Sequence, residues 1–120
     1  MATVIYHYPN CSTCKKAIKW LRDHGVAFEA VDLVATPPTA AQLQDLHARS
    51  GLPLKRFFNT SGQSYRGGDF KARLPSMSEA DCYAALAADG KLIKRPLLDT
   101  GATVRVGFKE AEYADTFPAA

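Results

Sequence analysis

Two cysteines separated by two residues, Cys11 and Cys14 in the stretch Asn10-Cys11-Ser12-Thr13-Cys14-Lys15-Lys16, are the residues of this chain whose types and spacing suit chemistry. A thiol attacks electrophiles only as its thiolate, so what matters is whether Cys11 is placed where an anion is favoured. The residues before it, Thr3 to Tyr8, are β-branched and aromatic and read as a strand that Pro9-Asn10 breaks. Those after it repeat apolar side chains at helical spacing, so Cys11 falls at a strand-to-helix turn. There the amides that open the helix, with Ser12 and Thr13 in its first turn, and the positive end of the dipole stabilise an anion by about 0.3–1 kcal/mol, or up to about 2 when partly buried. Lys15, four residues on, and Lys16 beside it are expected to add positive charge. Cations so early in a helix oppose its dipole, a local conflict that functional sites tolerate; the bland alternative is a solvated helix face.

Cys14 lies one helical turn beyond Cys11, close enough for a disulfide after modest adjustment of the turn, and so is a candidate to resolve an adduct on Cys11. Its other reading is a small buried apolar residue. Zinc is not expected, because no second ligand pair accompanies the two cysteines and His7, His24 and His47 are not spaced as ligands. The third cysteine, Cys82, reads as core filler within a helix.

The elements that must hold this turn follow in order. Ser12–His24 carries Cys14, Ala17, Ile18 and Leu21 on one face and closes at Gly25. Residues 26–33 read as a second strand, parallel to the first because a helix intervenes. Thr39 and Gln42 have capping-box spacing ahead of a helix through Leu43 and Leu46 to Gly51, and a short helical turn is expected over Leu54–Phe58. The glycine-rich stretch 59–76 reads as a mobile loop with a brief helix near Phe70. Ser76 and Glu79 repeat the capping spacing before a helix over 78–88. Two short strands near 96–98 and 103–106, turning at Gly101, precede a last helix over 109–117. This order, βαβ then ββα, predicts an α/β thioredoxin-like fold: a mixed four-stranded sheet in one domain over 1–120, with a helical insertion at about 39–90.

Composition narrows the function classes. The chain has 120 residues, 47% of them hydrophobic, enough for one core. Its net charge of +3 comes from acids and bases mixed along the chain, so direct nucleic-acid binding is not indicated. No apolar run approaches the roughly 20 residues that span a bilayer, and no basic-then-hydrophobic leader opens the chain. Three cysteines fit a reducing compartment better than a disulfide framework, and a cytoplasmic protein is expected.

With these residues in place, the sequence resembles the arsenate reductase (ArsC), Spx and MgsR family of thioredoxin-like proteins. The matching segments are Tyr6-His7-Tyr8-Pro9-Asn10-Cys11-Ser12-Thr13-Cys14-Lys15-Lys16, Pro37-Pro38, Gly51-Leu52-Pro53-Leu54-Lys55, Phe57-Phe58-Asn59-Thr60-Ser61-Gly62, Leu92-Ile93-Lys94-Arg95-Pro96 and Val106-Gly107-Phe108-Lys109. The resemblance implies a reductase in which Cys11 attacks a small oxyanion or thiol substrate and arginines, here Arg95, cradle it. No bound cofactor is implied; glutathione with glutaredoxin, or thioredoxin, supplies electrons as redox partner. Asn59 stands where such enzymes carry a second arginine and Val106-Gly107-Phe108 replaces the region of a third, so Arg56, Arg66 or Arg105 substitutes only if the fold turns it inward. Arg95-Pro96 is expected to be cis and to face Cys11. The alternative that the resemblance carries is an Spx-like regulator that binds the RNA polymerase α-subunit and switches through a Cys11–Cys14 disulfide. The close at Phe117-Pro118-Ala119-Ala120, without a charged tail, weighs against it.

Overall fold

The structure is a computed structural model describing residues 2–118; Ala119 and Ala120, which enter the reading of the chain's close, lie outside the described residues. Strands β1 (Val4–His7), β2 (Glu29–Asp32), β3 (Leu97–Asp99) and β4 (Val104–Val106) form one mixed sheet in the order β2-β1-β3-β4. β1 and β2 are parallel, while β3 runs antiparallel to both β1 and β4. This is the thioredoxin-like plan expected from the order of elements. β2 is shorter than the apolar run 26–33, because it has only the four residues of β1 to pair with. Val26 and Phe28 instead pack beside the core on the approach to the sheet.

Alternation along the strands sends side chains to two cores. Ile5 and Leu98 face one side, where they meet Ala17, Trp20 and Leu21 of helix α1 (Ser12–Asp23) and Tyr113 of the last helix (Glu110–Thr116). Tyr6, Leu97, Val104 and Val106 face the helices inserted between β2 and β3. α1 ends in the two paired bonds of a Schellman cap, Val26 N–H to Leu21 C=O at 3.0 Å and Gly25 N–H to Arg22 C=O at 3.1 Å. Gly25 supplies the positive φ, 68°, that this cap requires.

The inserted block begins with α2 (Ala40–Ser50), whose capping box between Thr39 and Gln42 is formed as expected. A 3-10 turn over Leu54–Phe57 follows. In the stretch read as a loop with a brief helix near Phe70, that helix is α4 (Phe70–Arg73), and α3 (Gln63–Gly67) and a 3-10 turn over Leu74–Ser76 are added to it. Aromatic burial organises it: Tyr65 and Phe70 stack with centroids 6.1 Å apart and both lie against Phe58, a tertiary contact that glycine content gives no hint of. Helix α5 (Glu79–Ala88) is capped by Ser78, whose hydroxyl accepts the Asp81 N–H at 3.1 Å. Ser76 is not the cap, because the turn that includes Pro75 has already taken it. The block rejoins the sheet where Gly90 lies directly on the Leu33–Val34 backbone, with no room for a side chain. The last helix is α6 (Glu110–Thr116).

Candidate active site

Cys11 is the N-cap of α1. Its backbone is extended, at φ −93° and ψ 118°, and its Sγ curls over the helix start to accept the Cys14 N–H at 3.4 Å. The turn before it is closed by the Cys11 N–H to Tyr8 C=O bond at 3.0 Å. A sulfur therefore occupies the place where an N-cap oxygen usually satisfies a free helix amide.

The two cysteines have opposite environments. Partial burial works against ionisation of Cys11, but it is outweighed by the Cys14 thiol and backbone N–H and by the Arg95 guanidinium, which together hold the thiol below its ordinary value. Cys14 is 0% exposed, and burial pushes its thiol up to about 12 despite the Tyr8 N–H that points at its sulfur from 3.5 Å. Of the two, Cys11 is thus the thiol that loses its proton first and Cys14 the one that keeps it, donating to Cys11. All three cysteines are free, and Cys82 is a buried thiol held above its usual value by burial and by Asp81 and Glu79.

Arg95 reaches the site from the segment before β3. Its guanidinium lies 4.9 Å from the centroid of the Tyr8 ring, and its Nη1 donates to the Lys91 carbonyl at 3.5 Å. Asn59 Nδ2 donates to that same carbonyl at 3.5 Å, so one backbone oxygen gathers Arg95 and the residue that stands in place of a second arginine. Arg95-Pro96 is cis, as the resemblance implies.

Not every expected participant converges here. Lys15 is exposed and lines a separate depression with His7, Tyr8, Pro9, Ile18 and Arg22; it is not among the groups that act on the Cys11 thiol. The four-residue spacing misleads because Cys11 is a cap with extended backbone, so its side chain folds back over the helix end instead of pointing along the helix face. Ser12 and Thr13 are exposed first-turn residues. Arg105 turns away, its Nε donating to Thr116 Oγ1 at 2.8 Å, and Arg66 donates to the Ser61 carbonyl at 3.0 Å. Arg56 lines an outer depression with Lys55 and Lys94. Arg95 is therefore the one guanidinium acting on Cys11 among the described residues. Two contributors had no signal of their own in the sequence: the Tyr8 ring, which lay unremarked within a matching segment, and the Lys91 carbonyl, a backbone atom. Among the described residues no three His, Cys, Asp or Glu side chains gather to hold a metal.

A thioredoxin-like sheet with a cysteine capping the first helix and a cis-proline just before β3 defines the class: thioredoxin-like proteins of the ArsC type. The particular family follows from the sequence itself, for the ArsC family model matches residues 6–116 and the chain belongs to that family. The protein YusI of Bacillus subtilis (strain 168) is 45% identical over 117 residues, covering 98% of this chain and 99% of its own. The crystal structure of an ArsC family related protein from Bacteroides fragilis superposes with a TM-score of 0.92 at 43% identity, over 96% of this chain and 97% of that one. More distant relatives divide in kind: the arsenate reductase of Rhizobium meliloti (strain 1021) is 26% identical over 82% of this chain and 69% of its own. The regulatory protein MgsR of Bacillus subtilis (strain 168) is 23% identical over 89% of this chain and 83% of its own.

Proposed function

We propose that this chain is a thiol-dependent reductase whose nucleophile is the Cys11 thiolate. The observation that carries the reading is the paired environment of the cysteines: one half-exposed, hydrogen-bonded and beside a guanidinium, the other sealed and protonated. In the reaction, Cys11 Sγ bonds to the electrophilic centre of an oxyanion, which loses an oxygen as water, or to one sulfur of a disulfide, which loses the other as a thiol. Arg95, as a fixed cation with a planar fork of donors, holds the negative substrate. A second thiol then attacks Cys11 Sγ to form a disulfide, and the electron pair of the broken bond stays with the reduced product.

For that second thiol the geometry favours an external donor, and the resemblance to arsenate reductases makes glutathione with glutaredoxin the donor proposed in the first instance. Cys14 has no surface and a strongly raised thiol, so it acts first as the hydrogen-bond donor that keeps Cys11 ionised. Once Cys11 carries an adduct its charge is gone, and with it part of what holds the Cys14 proton; Cys14 is then the fallback resolving group.

The test is an NADPH-coupled assay with arsenate, run with glutathione plus glutaredoxin and in parallel with thioredoxin. Turnover in the glutathione mixture that disappears in Cys11→Ser is expected. Silence in both mixtures would reject arsenate as substrate, and iodoacetamide labelling of Cys82 as fast as Cys11 near pH 7 would reject the activated nucleophile altogether.

A second reading draws on the regulator MgsR among the relatives and on the same cysteine pair: a redox switch that binds the RNA polymerase α-subunit through its oxidised form. Retention of the α-subunit by oxidised wild type, but not by oxidised Cys14→Ser, would favour it.

A further inference from the structure

Several stretches of the chain carry basic residues and no acid, residues 1–22 and 100–109 among them, and two more meet on one surface. Residues 46–68 contain no Asp or Glu, and neither do residues 90–98. The fold brings these two stretches together: Phe58 and Ile93 form an antiparallel bridge, flanked by the Lys94 N–H to Phe57 C=O and Asn59 N–H to Leu92 C=O bonds, each 2.8 Å. Two acid-free segments thus become one rigid surface. On it Lys55, Arg56 and Lys94, all exposed, line a depression of about 330 Å³ with Pro53, Phe58 and Thr60.

Among the described residues none of those three cations has an acidic partner. Among the described residues the ion pairs are Lys19–Asp23, Arg49–Asp45 and Arg49–Asp99. Lys94 directly precedes Arg95, the cation that acts on Cys11, so one stretch of backbone serves both the depression and the reactive sulfur. Exposed like charges held at close quarters by rigid backbone repel one another, and an acidic surface relieves that repulsion while it steers encounter.

We infer that the face carrying Lys55, Arg56 and Lys94 is a docking surface for an acidic segment of the thiol protein that reduces the Cys11 adduct. The inference rests on the reductase reading above. In the step it serves, the partner's thiolate attacks the outer sulfur of a mixed disulfide on Cys11. The Cys11 sulfur leaves as thiolate with the electron pair of the broken S–S bond, and the outer sulfur ends bonded to the partner, which is oxidised. Docked acids hold that thiol over the site while Arg95 receives the departing charge.

The experiment places glutathione in a mixed disulfide on Cys11 of Cys14→Ser protein and follows, by acid quench and mass spectrometry, the free Cys11 protein and the peptide–glutathione disulfide formed with three synthetic peptides. Each has one central cysteine, flanked by Asp and Glu, by Asn and Gln, or by Lys, and each rate is corrected for that peptide's own thiol ionisation. The acidic peptide should react roughly tenfold faster than the neutral one at low salt, and the advantage should collapse near about 0.5 M salt. Lys55→Glu with Lys94→Glu should remove the advantage and leave the neutral peptide unchanged, with Lys55→Gln and Lys94→Gln intermediate. Equal rates for the three peptides, or an advantage that survives the double reversal, would overturn the inference. So would its loss to inorganic phosphate or a short oligonucleotide at matched ionic strength, which would make the face a site for free phosphate or nucleic acid. If no adduct forms on Cys11 the reductase reading fails as well; if one forms without charge preference, only the docking surface is lost.

Discussion

Removing the guanidinium of Arg95 gives the sharpest account of what the site does to its sulfur. In Arg95→Met the side chain still packs on Tyr8, but the cation that helps hold the Cys11 thiol below its ordinary value is gone. A hydrogen bond to a charged group contributes about 1.5–3 kcal/mol when sheltered, and screening at this half-exposed sulfur reduces that to about 1 kcal/mol. That loss lowers the thiolate fraction roughly fivefold wherever the thiol form predominates. The sulfur also becomes more basic and so intrinsically more nucleophilic, which returns about half of the effect on a logarithmic scale. The expected outcome is a pH profile of iodoacetamide alkylation in which the variant is about two- to threefold slower on the acid side. At alkaline pH, where both sulfurs are fully ionised, the variant should be faster, so the two profiles cross. Stopped-flow or quench-flow rates, with mass spectrometry to confirm labelling at Cys11, supply the data. Superimposed profiles, or a constant ratio at every pH, would refute the reasoning, since the second would mean that Arg95 controls access to the sulfur and not its charge.

Three further outcomes follow from the same structure. Cys14→Ala, which removes the buried donor, should shift the alkylation profile toward higher pH, and Cys14→Ser should shift it less because a hydroxyl can still donate; equal shifts would show that the Cys14 side chain does not donate. Gly90→Ala places a Cβ 2.8 Å from both the Leu33 carbonyl carbon and the Val34 Cα, so it should destabilise the fold by about 1–3 kcal/mol, measured as a lower urea midpoint with unchanged slope. Arg49 donates to Asp99 at 2.7 and 3.0 Å and holds that carboxyl below its usual value. Because the folded carboxyl is the more acidic, this stability is fully present above the unfolded value near pH 4 and is lost as pH falls through the folded one. Arg49→Met should therefore lower stability at pH 7 by about 2 kcal/mol, with the deficit shrinking below about pH 4; a deficit independent of pH would assign it to lost packing.

Local rules, those in which a residue and its near neighbours settle the matter, were legible in the sequence. Residue types and turn residues alone placed Cys11 at the start of the first helix, Gly25 at its end, the Thr39 capping box and the order of strands and helices. Those signals act over three to six residues and survive in any tertiary setting. The resemblance added Arg95 and its cis-proline, and drew attention to Asn59.

What the fold alone decided depends on residues far apart in the chain. Packing among Phe58, Tyr65 and Phe70 adds a helix at Gln63–Gly67 to a glycine-rich stretch where only the one near Phe70 was expected, because burying aromatic rings outweighs weak local preference. Meeting at the Lys91 carbonyl assigns Asn59 and Arg95 to one site, and the tying of Arg105 to Thr116 removes another candidate. Lys15 lies exposed on the helix, and spacing alone could not tell that Cys11, as the cap, does not share the side-chain direction of the helix it begins. The difference between two cysteines three positions apart, one ionising and one sealed, is likewise set by what the sheet and the incoming Arg95 segment lay against each sulfur: burial and field are properties of the assembled fold, not of spacing.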